Sequence, residues 1–430
     1  MSANWRQRVD EIASVRMVVD IGTTSLSGVR LSALGAPSGA YVANPIYNTA
    51  ALAASDCARL GADFQRVGFL HAPRDESDEV FVDAYGVGWL FTDGFPAPFQ
   101  HPLQAAEWKD ISRHPRPVLP THLQIADPAR TDLLVVLDAP CPGLLDTCFA
   151  LRNAWQFLDD LTGNWRIASA TLDWATETIE QSYRTVLAAL PSDPDVIVYG
   201  DDLGFQSGMY LSDLDFRTFV YPRMQTLFAR LRRMTNAAIC LHSCGAVRSI
   251  VNDLAGLDVE MLNLDFYAKN MILHEVRREI PSTTILHAPI NLAAVGEAVR
   301  EGNRATLALL ATEIAVAMPA IAAPIDNITS AASLTANIFG AAFVRALSRE
   351  HLVTLRDIGP VRSIIDKARQ TALGAALPAI TQEEFPIAVL DAGSAKGSVP
   401  AILPIAAAAG SKLNRRSTAR GGLTWLPQVK

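Results

Sequence analysis

Short runs of consecutive apolar residues alternate with longer amphipathic stretches along this chain, as buried parallel strands alternate with covering helices. The runs predict strands at Met17–Ile21, Val67–Leu70, Leu133–Leu137, Val196–Gly200, Ala238–His242, Met261–Leu264, Thr284–His287 and Ala320–Ala323. Helices are expected at Leu145–Leu161, Trp174–Leu190, Leu211–Met234, Leu292–Ala317 and Ser333–Leu347. In the clearest of them, Phe216, Phe219, Val220, Met224, Leu227, Leu231 and Met234 recur at spacings of three and four, and Ser212 stands where it can cap the start. Eight strands alternating with helices predict an α/β fold of the TIM (β/α)8-barrel type. Glu79–Trp89 alternates as a β-hairpin does, an N-terminal insertion expected over the barrel mouth. The pattern weakens after about residue 350, so the barrel is assigned to 1–350 and a C-terminal helical extension and tail to 351–430.

Composition narrows the function classes. Half of the residues are hydrophobic and 19% are charged, enough for a large buried core. A net charge of −7 gives no electrostatic footprint for nucleic acid or for an anionic membrane surface, and a small-molecule substrate fits better. No stretch reaches the ~18 apolar residues of a membrane span, and Met1–Arg8 lacks an apolar signal core. Cys57, Cys141, Cys148, Cys240 and Cys244 form an odd, sparse set, unlike a disulfide framework, so a reducing cytoplasm is the expected location.

The chemistry concentrates at Leu241-His242-Ser243-Cys244-Gly245. Alternate residues of a strand face the same way, so Cys240, His242 and Cys244 share a face, the last two at the C-terminal end where barrel enzymes keep their active sites. An imidazole and a thiolate two residues apart can bind one Zn²⁺ if other strands supply the remaining ligands. Cys240 lies ~13 Å from Cys244 along an extended strand and reads as core. On the residues alone, a buried His and Cys satisfied by their neighbours is the commoner reading of such a pattern. Asp201 and Asp202 end another strand; adjacent residues face opposite ways, so one is expected in the mouth as a substrate ligand or acid–base group and the other at the following turn. Asp20, at the end of the first strand, is a further candidate facing substrate. Gln206, Asn263 and Asn291 are candidates for polar contacts to substrate or cofactor.

Three segments taken in order, Gly200–Ser212, Phe216–Arg223 and Leu241–Val247, resemble the uroporphyrinogen decarboxylase superfamily, with weaker matches from about Arg16 to Leu347. His-Ser-Cys-Gly after an apolar strand is similar to the branch of methylcobamide:coenzyme M and related corrinoid-dependent methyltransferases. The resemblance implies His242 and Cys244 as zinc ligands, with the metal holding a thiol as its thiolate and a corrinoid, on a partner corrinoid protein, as methyl carrier. It also implies a further Cys near the last strand, where this chain has Ala323-Pro324-Ile325-Asp326-Asn327-Ile328 and no cysteine follows Cys244. Asp326 can supply a carboxylate in its place, giving a His, Cys, Asp site; the other reading is that metal binding is lost and His242 and Asp326 act as acid–base or positioning groups. The Arg-rich N-terminal signature of true uroporphyrinogen decarboxylases is not present. The expected function is zinc-dependent methyl transfer between a corrinoid or methylated donor and a thiol or other nucleophile. The alternatives are decarboxylation of a cyclic or aromatic carboxylate with Asp202 as proton donor, and a non-catalytic corrinoid- or tetrapyrrole-binding protein.

Overall fold

The computed structural model describes residues 5–15, 18–20, 321–322 and 41–287, the last apart from positions 47, 60–61, 76, 93–94 and 267. The helices expected at Leu292–Ala317 and Ser333–Leu347, the tail 351–430, Asn291 and Asp326 lie outside them.

All eight expected strands form: β1 Val18–Val19, β2 Phe64–Leu70, β3 Leu134–Leu137, β4 Val196–Gly200, β5 Ala238–Ser243, β6 Met261–Leu264, β7 Ile285–Leu286 and β8 Ile321–Ala322. β2 to β7 pair in chain order in one sheet, each parallel to the next, and β1 pairs parallel with β8. That is the strand order of a TIM (β/α)8 barrel, and the protein is an α/β protein of that type. An antiparallel strand, His122–Gln124, adds to β2. No helix among the described residues is long and apolar enough to cross a membrane.

The strands have two buried faces, and the parity of each residue decides which one it joins. Phe64, Leu134, Val136, Val196, Val198, Ala238, Cys240, Met261 and Ile285 pack together inside the barrel. Leu137, Ile197, Tyr199, Ile239, Leu241, Leu262, Leu264 and Leu286 face outward into a larger core shared with the helices. The helix α1 Trp5–Val15 closes the N-terminal end: Val9 enters the interior cluster, while Arg8 pairs with Asp195 just before β4 at 2.7 Å and donates to the carbonyl of Leu133. The closed end is therefore apolar, and the open end is left for polar residues.

Three helical expectations are corrected. The helix expected over Leu145–Leu161 is two, α2 Leu144–Arg152 and α3 Ala154–Gly163, broken at Asn153, whose φ of 72° ends one helix while its side chain caps the next by accepting from the Trp155 N–H. The helix α4 starts at Trp165, not Trp174, and ends at Ala189, because Ile167, Ala168, Thr171 and Leu172 extend its buried face. The long helix after β4 runs in three pieces: Asp213–Asp215 capped by Ser212, a widened turn Phe216–Val220, and α5 Tyr221–Leu231. Pro222 lacks the N–H that regular helix pairing requires there, and the Tyr221 N–H reaches back to Phe216.

The insertion after β2 forms the hairpin Val80–Val82 and Gly88–Thr92 with a third antiparallel strand, Phe95–Gln100. Directly after it, residues 101–106 are hydrogen-bonded to the helical layer. Arg152 is the anchor: its Nε pairs with Asp160 at 2.6 Å, and its Nη1 donates to the carbonyls of Leu103, Gln104 and Ala106 at 2.6 to 2.9 Å. Both charged side chains are buried, so Arg152→Ala would leave Asp160 without its counter-ion and take a donor from three carbonyls. The expected cost is about 3–5 kcal/mol, read as a lower urea midpoint; an unchanged midpoint would contradict this role.

Candidate metal centre

The strand ends carry polar side chains at the same inward parity as the apolar interior below them, and these join into one chain of contacts. Asp202 Oδ1 lies 3.6 Å from His242 Nε2, and His242 Nδ1 meets Asn263 Oδ1 at 2.5 Å. Asn263 Nδ2 donates to His287 Nδ1 at 2.7 Å and to the His287 carbonyl, His287 Nε2 donates to Asp20 at 3.0 Å, and Arg66 donates to Asp20 at 2.6 Å and to Asp138 at 2.7 Å. In barrel order these residues come from β4, β5, β6, β7, β1, β2 and β3, all at or just past the strand's end except Arg66, which lies within β2. Asp20 bridges β7 and β2, closing with side chains a barrel whose two ladders share no described backbone pairing.

The chain fixes proton positions. The Asn263 amide must point its NH2 at His287, because its oxygen would otherwise face the His287 carbonyl. Its own oxygen therefore faces His242, so Nδ1 of His242 carries a proton and the Nε2 lone pair is left for the mouth. His287 accepts on Nδ1 and so carries its proton on Nε2, toward Asp20. Burial opposes charge on Asp20, but Arg66 first, then His287, hold its carboxyl below the usual range; Asp138 is raised, mainly by burial.

His242 Nε2 also lies 3.4 Å from Cys244 Sγ, and Oδ1 of Asp202 accepts the Cys244 backbone N–H at 3.0 Å. One nitrogen, one sulfur and one carboxylate oxygen thus lie within 4.8 Å of one another. Ligands around one tetrahedral Zn²⁺ stand ~3.3–3.6 Å apart, so the donor types and their spacing fit zinc. His242 and Asp202 side chains each keep 14% of their exposure, which leaves the mouth side accessible for a fourth ligand. Gly245 makes the turn: its φ is 87°, and a Cβ there would stand 2.2 Å from the carbonyl carbon of Gly204. This close approach clamps the hairpin Gly204–Phe205 and Gly208–Met209 onto the Cys244 turn, with Ala246 N–H donating to Phe205.

Adjacent Asp201 and Asp202 part company by parity. Asp202 joins His242 and Cys244; Asp201 points outward, accepting from the N–H groups of Leu145 and Asp146 at the start of α2 and from the Tyr199 hydroxyl. It is a helix cap, and burial pushes its carboxyl up to about 6 against those hydrogen bonds. Burial also raises Asp202, but the neighbouring His242 outweighs it and holds the carboxylate low; Asp202 in turn lifts His242 above its usual value against the effect of burial. Asp146, whose Oδ2 accepts the Asp202 N–H, is pushed well above the carboxylate range by burial and by Asp202 and Asp201. Asp20 is locked between Arg66 and His287, Asn263 orients His242, and Gln206 donates to Asp265 at 2.7 Å. Cys240 lies in the apolar interior, where burial pushes its thiol up to about 12.

Arg66, Asp138, Asp146 and His287 were not singled out by sequence reasoning. His287 had the same signal as His242, a polar residue ending an apolar run at inward parity. Arg66 stood one residue outside the expected strand Val67–Leu70, because β2 begins at Phe64 and a charge in its middle reads as a boundary.

A barrel with this donor set at the C-terminal ends of β4 and β5 is an enzyme scaffold. Its family is identifiable: the uroporphyrinogen decarboxylase (URO-D) model matches residues 84–312, more than half of the chain, and the protein belongs to that family. Among solved structures it is similar to a methyltransferase from Methanosarcina mazei, with a TM-score of 0.50 and 17% identity, over 81% of this chain and 98% of that one. That likeness supports the fold. No curated protein matches the sequence.

The geometry predicts one zinc per chain. By equilibrium dialysis, His242→Ala and Cys244→Ser are expected to lose it and Asp202→Asn to weaken it, whereas Asn263→Ala should weaken it about 10- to 100-fold by freeing the imidazole. Asp201→Asn, which keeps an acceptor at the cap, should bind as the unmodified protein does; equal loss in that variant would show that the effect is on folding.

Proposed function

We propose that this protein is a zinc-dependent methyltransferase that moves a methyl group between a corrinoid or other methylated donor and a thiol or other nucleophile. The reading is carried by one observation, the imidazole, thiol and carboxylate of His242, Cys244 and Asp202 at ligand spacing in the open end of a family barrel. Bound zinc supplies the positive charge that favours the thiolate form of a thiol at neutral pH. Asn263 holds His242 in the tautomer that presents Nε2. Asp202 balances charge and, through the Cys244 N–H, fixes the turn that carries the sulfur. The donor would enter from the mouth side, presented by a corrinoid protein or as a free corrinoid.

Decarboxylation is less well supported by the surroundings. A carboxylate substrate calls for a cation, whereas among the described residues Asp202, Asp265 and Asp146 are the charged groups that push the Cys244 thiol up. Arg66, deeper in the barrel, is already paired with Asp20 and Asp138.

The test is thiol-dependent demethylation of methylcobalamin by zinc-loaded protein, followed as the change in the corrinoid spectrum. Activity should need zinc and fall below detection in His242→Ala and Cys244→Ser. Full activity in metal-free protein, or CO2 release from an aromatic carboxylate without any methyl transfer, would overturn the proposal; tight cobalamin binding without turnover would favour a carrier or sensor instead.

A further inference from the structure

The hydroxyl of Tyr210 is used neither by the fold nor by the metal centre. It is buried and, among the described residues, has no hydrogen-bond partner. The rest of the residue is held firmly. Its backbone N–H donates to the Leu203 carbonyl at 3.1 Å, directly after the Gly204–Met209 hairpin that Gly245 clamps beside Cys244. Its ring stands edge-on to Phe149, with centroids 5.3 Å apart at 89°, and tilted against Phe205 at 5.6 Å. Burial pushes the phenol up, and so do the charges of Asp202, Asp146 and Cys244, so its proton stays on.

A desolvated donor costs stability unless something accepts from it. A rigidly held donor left unpaired on the residue that follows the hairpin beside Cys244 is placed for a molecule that arrives later. We propose that Tyr210 is a substrate-binding residue whose hydroxyl donates a hydrogen bond to the sulfur of a thiolate substrate held beside Asp202, His242 and Cys244. The class of ligand rests on the methyl-transfer reading above; the unpaired hydroxyl does not. A thiolate is the acceptor that suits the place, since it gains from a donor and from the metal together. Asp202 and Asp146 disfavour a second anion elsewhere on the substrate.

Tyr210→Phe removes the hydroxyl and leaves the ring packing, and two measurements test it. In metal-free protein the urea midpoint should stay the same or rise, because a polar group without a partner has been deleted. A fall would show that the hydroxyl is already bonded within the fold and would overturn the proposal. In zinc-loaded protein, calorimetric titration with 2-mercaptoethanol should show about tenfold weaker binding by the variant at an unchanged zinc content. Equal affinity in both proteins overturns the role of Tyr210 alone. Failure of the unmodified, zinc-loaded protein to bind the thiol overturns the thiol reading, and the assigned ligand with it.

Discussion

Polar side chains inside a barrel persist only when each finds a partner, because an unpaired donor or acceptor there costs about 1–3 kcal/mol and an unpaired charge more. The contact chain from Asp202 through His242, Asn263, His287, Asp20 and Arg66 to Asp138 meets this requirement residue by residue. It divides the interior into an apolar half, sealed by Val9, and a polar half open to the mouth. It also sets the tautomer of His242 from a distance: the carbonyl of His287 orients Asn263, and Asn263 orients the imidazole. The candidate metal centre is therefore one end of a structural network, and Arg66, paired with Asp20 and Asp138, lies toward the other.

The two adjacent aspartates show how strand geometry divides labour. Asp202 turns inward and is held as a carboxylate by His242, whereas Asp201 turns outward and serves the first N–H groups of α2. Gly143 makes this possible, since a Cβ there would lie 2.4 Å from Asp201 Cβ and 2.3 Å from the Gly200 carbonyl oxygen. The helix start is drawn against the strand end, and this brings Asp146 beside Asp202 in the same step. Close backbone approach at Gly143 and Gly245 thus packs three carboxyl groups, an imidazole and a thiol into one small volume. The result is a site in which protonation of one acid depends on its neighbours.

Periodicity alone carried all eight strands, because each is an apolar run, buried on both faces in β2 to β7, and so stands out from the amphipathic helices around it. Helix ends were less legible. Asn153 breaks a helix through a positive φ, and Pro222 widens another through a missing N–H, while the hydrophobic pattern runs on across both. His242 and Cys244 were readable as a pair because their shared face follows from spacing within one strand.

What the chain's order could not supply was the third partner and the network behind it. Asp202 reaches His242 and Cys244 only because β4 and β5 pair with Gly200 opposite His242, a register set between two segments distant in sequence. The same holds for Asn263, which stands opposite His242 on β6, and for Asp20 with His287, which meet only when the barrel closes. The sequence determined which residues face inward, since parity is local. Tertiary structure decided which of them touch, since contact across a barrel depends on strand pairing, and that is a property of the whole fold.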